Sequence, residues 1–382
     1  MITEAVSAQP WSGDAVVHVS IVNWVKSPPH APSSRVLWLN ETDLRLELDH
    51  IPASLSPGAD VGRAAALPAN QRPKVCFQGQ TPGVTKGFTL DAEARGILIR
   101  RDPSSARYIH PFLGGEQLLH DLEIDRWVID LPQTDALAAE RDAPALVDHL
   151  RSEVLPSRQR AAKKEATQNA ERRQESSNSR DRRHHSSFLD YWWMHSYRRA
   201  DLVAAVEALP RYIALTITAS WERPSVYIFV ESATRPAASL QAFAFDDSYS
   251  LGVLQSSVHR LWFEARCSRL KADLRYTPST VFDSFPWPQT PTAGHVERIE
   301  TVVGRLLAVR AENLAVGMSL ARQYDTLRQP GKSQLRELHA ELDAAVVAAY
   351  GFSSDDDLLA QLLALNLDAA ADPEHARGPG LV

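Results

Sequence analysis

Pro286-Trp287-Pro288 divides this chain into two kinds of sequence. Ahead of it, runs rich in β-branched and aromatic residues recur at 15–25, 126–131, 211–218, 226–230 and 240–245, the composition a pleated surface favours. Behind it, helical stripes take over. Val296, Ile299, Val303, Leu306, Leu307 and Arg310 keep the i, i+3, i+4, i+7 spacing of one buried face with charges on the back. Leu335, Leu338, Leu342, Val346 and Tyr350 repeat it, and Gly351 stands where a helix-ending glycine belongs. Ser354 with Asp355, Asp356 and Asp357 then opens a short third helix, its acids placed to suit the dipole. Strands followed by helices predict an α+β fold, and 382 residues allow two or three packed cores.

The expected divisions are residues 1–73, 74–288 and 289–382. In the first, 15–25 reads as a buried strand, as in a sheet covered on both faces. Pro28-Pro29 ends that strand, and a Pro/Gly/Ala-rich loop fills 52–73. The second division opens with the turn glycines Gly79, Gly83, Gly87, Gly114 and Gly115. An amphipathic helix follows at 143–155, then a basic stretch, and a helix at 200–209 precedes the later strands. Residues 176–187 are so polar that they read as a mobile insertion. The third division is helical.

A net charge of −6 hides a local asymmetry. From Arg158 to Arg183 there are nine Lys or Arg against four Asp or Glu, a local +5, whereas 333–382 carries two basic and nine acidic residues, −7. Charge separated in this way suits one face that meets a polyanion and another kept away from it. A solvated linker helix without a partner has the same composition. With 44% hydrophobic and 23% charged residues the chain is not largely disordered. No apolar run approaches ~18 residues, so no membrane span is expected, and the first residues lack the pattern of a secretory signal. Cys76 and Cys267 are the only cysteines and form no C-x-x-C pair. That excludes a zinc ribbon and a disulfide framework, and makes a reducing cytoplasm the default setting.

Common catalytic signatures are missing. The chain has no Walker loop, no G-x-G-x-x-G after a strand, no H-E-x-x-H, no G-x-S-x-G and no metal cluster. His184-His185 add positive charge rather than a metal site. Ser27-Pro28-Pro29-His30 has the polar-Pro-Pro shape of the loop in which amino-methyltransferases hold a flipped base. Its fourth residue is histidine, however, and no glycine loop lies upstream, so it reads as a strand-terminating turn. Phe77-Gln-Gly-Gln-Thr-Pro-Gly83 likewise has the wrong spacing for a cofactor loop and reads as a turn.

The most informative window lies between Val253 and Pro288. On one strand through Leu270 and Leu274, Lys271, Asp273 and Arg275 project from one face and Leu270, Ala272 and Leu274 from the other. Two readings of this row stay open. One is an ordinary half-exposed strand. The other is a row of base-edge readers, in which Lys and Arg donate to guanine and Asp accepts from cytosine.

Several stretches together resemble the MmeI-like enzymes, single-chain restriction–modification proteins with an adenine-specific DNA methyltransferase. They are Ala15 to Val25, Cys76-Phe-Gln-Gly79 with Gly87-Phe-Thr-Leu90, Pro111-Phe-Leu-Gly-Gly115 and Arg126-Trp-Val-Ile-Asp130. Gly252-Val-Leu-Gln-Ser-Ser-Val-His259 with Trp262, Asp273-Leu-Arg-Tyr-Thr277, Phe285-Pro-Trp-Pro288, Leu342-Asp-Ala-Ala-Val346 and Ala349-Tyr-Gly351 complete the set. The resemblance covers nearly the whole chain and implies the C-terminal portion of such an enzyme. That portion holds the last strands of a Rossmann-like methyltransferase domain, a mixed-sheet target recognition domain and a small helical domain. Met1 then falls inside the methyltransferase domain, with the glycine-rich S-adenosylmethionine loop and the catalytic loop upstream. No catalytic, cofactor-binding or metal-binding residue is carried over, and S-adenosylmethionine is expected to serve the full enzyme without binding this chain. Double-stranded DNA is the implied partner. Phosphates would be anchored by Arg158, Arg160, Lys163, Lys164, Arg172 and Arg173, and bases read by Lys271, Asp273 and Arg275. Two alternatives remain: a stand-alone specificity subunit that partners a separate methylase chain, and an inactive remnant of a truncated gene.

Overall fold

In a computed structural model the described residues are 1–11, 18–26, 34–39, 44–52, 55, 57–176, 179–270 and 273–380. Four strands come first: β1 (Ile2–Pro10), β2 (His18–Trp24), β3 (Arg35–Leu39) and β4 (Leu44–Leu48), in the spatial order β2-β1-β3-β4. β1 runs antiparallel to β2 and parallel to β3. Ala5, Leu37 and Ile51 form a small core of their own. The expectation of a strand buried on both faces fails here. β2 is an edge strand, and Ile21, Val22, Trp24 and Val25 are exposed, Trp24 at 66%. β-branching specifies extended backbone, but burial on two faces needs covering layers that the run cannot itself encode.

The middle of the chain begins with α1 (Pro68–Gln71), β5 (Cys76–Gln78), α2 (Thr85–Phe88), β6 (Thr89–Leu90) and α3 (Ala92–Arg101). It continues through β7 (Ile109–Leu113), α4 (Gly115–Leu119), β8 (Trp127–Ile129), α5 (Ala136–Asp142), α6 (Pro144–Glu153), α7 (Leu155–Glu175), α8 (His184–Asp190) and α9 (Ala200–Glu207). Next come β9 (Arg211–Thr216), β10 (Thr218–Ala219), β11 (Ile228–Glu231), β12 (Arg235–Pro236) and β13 (Leu240–Phe243). α10 (Ser248–Gln255), α11 (Ser257–Arg266), β14 (Ser268–Leu270) and β15 (Asp273–Arg275) close the region. Its strands make an antiparallel sheet β11-β9-β13-β5, a mixed sheet β12-β7-β8-β6 and a small sheet β10-β15-β14. The class is α+β, as the sequence predicts.

Four helices follow: α12 (Ala293–Ala315), α13 (Leu320–Asp325), α14 (Gln334–Tyr350) and α15 (Leu358–Ala371). Ser333 caps α14, and Gly351 ends it in the left-handed region at φ 69°. The cap of α15 is Asp357, which accepts from the Leu359 and Ala360 amides, rather than Ser354. Pro288 marks a change of secondary structure but no break in packing. One apolar core runs from Cys76 in β5 through Phe243 and Trp262 to Leu342 and Leu363. Gly252 of α10 lets α12 approach so closely that a Cβ there would run into Ile299 and Val303. Arg310, in the apolar stripe of α12, is buried and donates to Tyr227 O at 2.8 Å, to Gln255 Oε1 at 2.6 Å and to the Tyr324 hydroxyl. A second core, from Phe88 to Trp193, lies under the mixed sheet.

Candidate nucleic-acid interface

The single strand expected through Leu270 and Leu274 is two strands. β14 and β15 pair antiparallel, with Leu270 opposite Asp273 and Ser268 opposite Arg275, so the chain has reversed between Leu270 and Asp273. The alternation that reads as one strand is too short to exclude a tight hairpin. Lys271 lies outside the described residues. β15 also pairs with β10, Thr218 opposite Arg275 and Ala219 opposite Leu274. Leu274 is only 1% exposed and anchors this small sheet in the main core. Asp273 and Arg275, two residues apart, project from the opposite face and are exposed. Neither side chain has a hydrogen-bond or ion-pair partner among the described residues. β15 thus offers one free acceptor and one free donor fork to whatever meets that face.

The basic stretch is mostly α7, built from strong helix formers with Pro156 in its first turn, where a missing N–H costs nothing. Its cations are not equivalent. Arg158 is 4% exposed and stacks over Phe88 and Phe188. It donates to Phe188 O at 2.6 Å, Met194 O at 2.7 Å, Tyr191 O at 3.1 Å and Pro82 O at 3.4 Å. A guanidinium held by four carbonyls is not available to a phosphate, so Arg158 leaves the anchoring set. Arg160, Lys163 and Lys164 are exposed and without side-chain partners among the described residues. Arg172 is half-buried, and exposed Arg173 is ion-paired with Asp181.

Residues 176–187, read as a mobile insertion, fold back on α7 where they are described. Asn169 donates to Arg182 O at 2.8 Å and accepts from Arg182 N at 3.0 Å. Glu165 accepts from the His185 and Ser186 amides at 3.0 and 2.9 Å, so α7 caps the start of α8. Among the described residues no group of three or more His, Cys, Asp or Glu could hold a metal ion, and no helix is long and apolar enough to cross a membrane.

The Phe77–Gly83 turn does not fit a cofactor. A Cβ at Gly79 would collide with the backbone of Pro236 and Ala237, and one at Gly83 with Ser196, so both glycines serve close approach within the protein. Ser27 to His30 lie outside the described residues. Two interior networks escape sequence reasoning. Asp130, at the end of β8, accepts from Arg198 Nε at 2.6 Å and Gln80 Nε2 at 3.1 Å, and lies 3.4 Å from Arg235 Nε. His259 joins Tyr227 OH at 3.1 Å to Tyr276 OH at 3.2 Å inside the main core. Burial pushes its pKa down to about 3, so it is neutral, one ring nitrogen donating and the other accepting. These partners lie 17 to 105 positions apart in sequence, and no local pattern links them.

Residues 210–289 match the family described as MmeI, target recognition domain. Over 120 residues the chain is 36% identical to DNA methyltransferase A of Bacillus subtilis (strain 168), a match that covers 31% of this chain and 13% of that protein. The solved structure of the Type IIL restriction–modification enzyme MmeI in complex with DNA superposes with a TM-score of 0.73 at 21% identity, covering 97% of this chain and 46% of that one. The chain therefore spans less than half the length of either relative. The matched segment begins one residue before β9 and contains the whole β10-β15-β14 sheet. Residues 210–289 are thus similar to the MmeI target recognition domain, on a chain that shares the MmeI fold over almost all of its length.

Proposed function

We propose that this chain is the sequence-recognition part of an adenine-specific DNA methyltransferase of a restriction–modification system. One observation carries the reading: Asp273 and Arg275 stand exposed on one face of β15, without a side-chain partner among the described residues, inside the matched segment. A free guanidinium can donate to both acceptors of a guanine edge in the major groove, and a free carboxylate can accept the cytosine amine. Lys271, two positions before Asp273, extends the set to three. Arg160, Lys163 and Lys164, with Arg172 and Arg173, anchor phosphates and fix register without specifying sequence; Arg173 has to exchange Asp181 for phosphate. In the full enzyme S-adenosylmethionine supplies the methyl group for the exocyclic amine of a flipped adenine. The residues of this chain hold the duplex in place for that step.

A second reading keeps the recognition role and puts the catalytic half on a separate chain. The exposed apolar edge at Ile21, Val22, Trp24 and Val25 favours it, since a strand edge of this kind is a pairing surface. Both readings are tested by supplying the catalytic half of a related enzyme, fused ahead of Met1 or as a second polypeptide, and mapping methylated adenines by sequencing. Methylation confined to one short sequence is expected. Scattered methylation, or none from a half that binds its cofactor, overturns the proposal.

A further inference from the structure

Trp221 lies two residues beyond Ala219, the end of the strand that pairs with β15. Its side chain is exposed, the residue being 56% accessible, and the indole N–H has no partner among the described residues. The backbone around it is held firmly. Arg260 of α11 donates to Trp221 O at 2.7 Å and to Arg223 O at 2.6 Å. Ser220 Oγ accepts from the Glu222 and Arg223 amides at 3.3 and 3.4 Å. Glu222 is ion-paired with Arg328, and Arg223 lies 3.6 Å from Asp325. The loop is thus tied to α11 and to the end of α13, while the ring at its tip is left in water. A loose loop could fold an indole back onto the protein; this one is fixed with the ring outward. Large, rigid, exposed aromatics of this kind dominate binding energies, because little freedom remains to be lost on contact.

We propose that Trp221 is a further DNA contact, an aromatic wedge that packs against a base step beside the pairs faced by Asp273 and Arg275. The proposal rests on the DNA-recognition reading above. An indole cannot neutralise a phosphate, but it can stack on any base and hold a step partly open. Its contribution is therefore independent of salt and largely of sequence, and it sets where along the duplex the reading strand sits.

The test uses the whole chain, a random-sequence duplex pool carrying 2-aminopurine, and the variants Trp221→Ala and Trp221→Phe. Anisotropy gives affinity and its salt dependence, and 2-aminopurine emission reports unstacking. Trp221→Ala should weaken binding about tenfold, in line with the loss of one stacked base. It should abolish the emission rise, keep the log–log salt slope and melt with the parent, while Trp221→Phe keeps most of both signals. A Trp221→Ala chain that binds and unstacks like the parent overturns the role of Trp221 and leaves DNA recognition standing, the ring then being open to a protein partner. If the parent binds no duplex, both proposals fall.

Discussion

Arg158 Nη1 donates to the Phe188 carbonyl at 2.6 Å, fastening the first turn of α7 to α8 thirty positions later. The same guanidinium gathers carbonyls from Tyr191, Met194 and Pro82. Burial pushes its pKa down to about 10, so it stays charged at neutral pH and donates to four carbonyl oxygens, of which those of Tyr191 and Pro82 also accept a backbone amide. The basic segment therefore carries a structural cation at its base and free ones beyond it.

Arg158→Ala should cost roughly 3 kcal/mol or more of stability, since the Phe188 and Met194 carbonyls lose their donor and the packing against Phe88 and Phe188 goes with it. Arg158→Lys should recover only part of that, because an ammonium cannot present the planar fork. The triple change Arg160→Ala, Lys163→Ala and Lys164→Ala should melt with the parent and flatten the DNA salt slope by about 0.9 for each phosphate no longer neutralised. Urea titration and salt-dependent anisotropy read the two effects. An unchanged slope would make α7 a solvated helix.

The division of labour in α7 shows what the sequence discloses and what it does not. The charge run is visible, yet nothing near Arg158 distinguishes it from Arg160, because its acceptors lie at Pro82 and from Phe188 onward. The helical stripes after Pro288 are legible, with Ser333 and Gly351 as their boundaries, since caps and periodicity are local. Arg310 is placed correctly in a stripe, but its partners Tyr227, Gln255 and Tyr324 come from elements that only tertiary packing brings together. The strand at β2 is legible and its exposure is not. From Leu270 to Arg275 a six-residue alternation fits a strand or a hairpin equally well, and no glycine or asparagine marks the reversal.

Acid should weaken the fold through buried His259 and half-buried His110 and His339. Burial pushes His259 and His339 down to about 3, and burial with the Arg235 guanidinium takes His110 to about 4. In the unfolded chain these imidazoles take protons near pH 6.5. Below that value the unfolded state binds protons that the folded state refuses, so stability falls by up to about 1.4 kcal/mol per pH unit for each histidine. Asp343, which burial pushes up, acts in the opposite sense. Urea midpoints should drop between about pH 7 and pH 5, and His259→Gln should show a shallower drop from a lower starting value. Equal midpoints for the parent at both pH values would contradict this.

Gly252→Ala tests the shared core of sheet and C-terminal helices. In an open helix the change should stabilise by up to about 1 kcal/mol. Here the added methyl meets Ile299 and Val303, so a net loss of about 1–3 kcal/mol is expected. In calorimetry α10 and α12 should melt in one transition. A more stable variant, or separate melting of the C-terminal helices, would mean that the two layers are only loosely joined.

Base readout by β15 is tested most directly by sequence selection from a random duplex pool, run with the parent chain and with Asp273→Arg combined with Arg275→Asp. The parent should enrich one short sequence. The exchanged chain should melt with the parent, because both side chains are exposed and unpartnered among the described residues. It should enrich a sequence altered at the base pairs these residues face, with discrimination of about 1–3 kcal/mol for each good contact. The same sequence enriched by both chains, or none enriched by the parent, would contradict readout by Asp273 and Arg275.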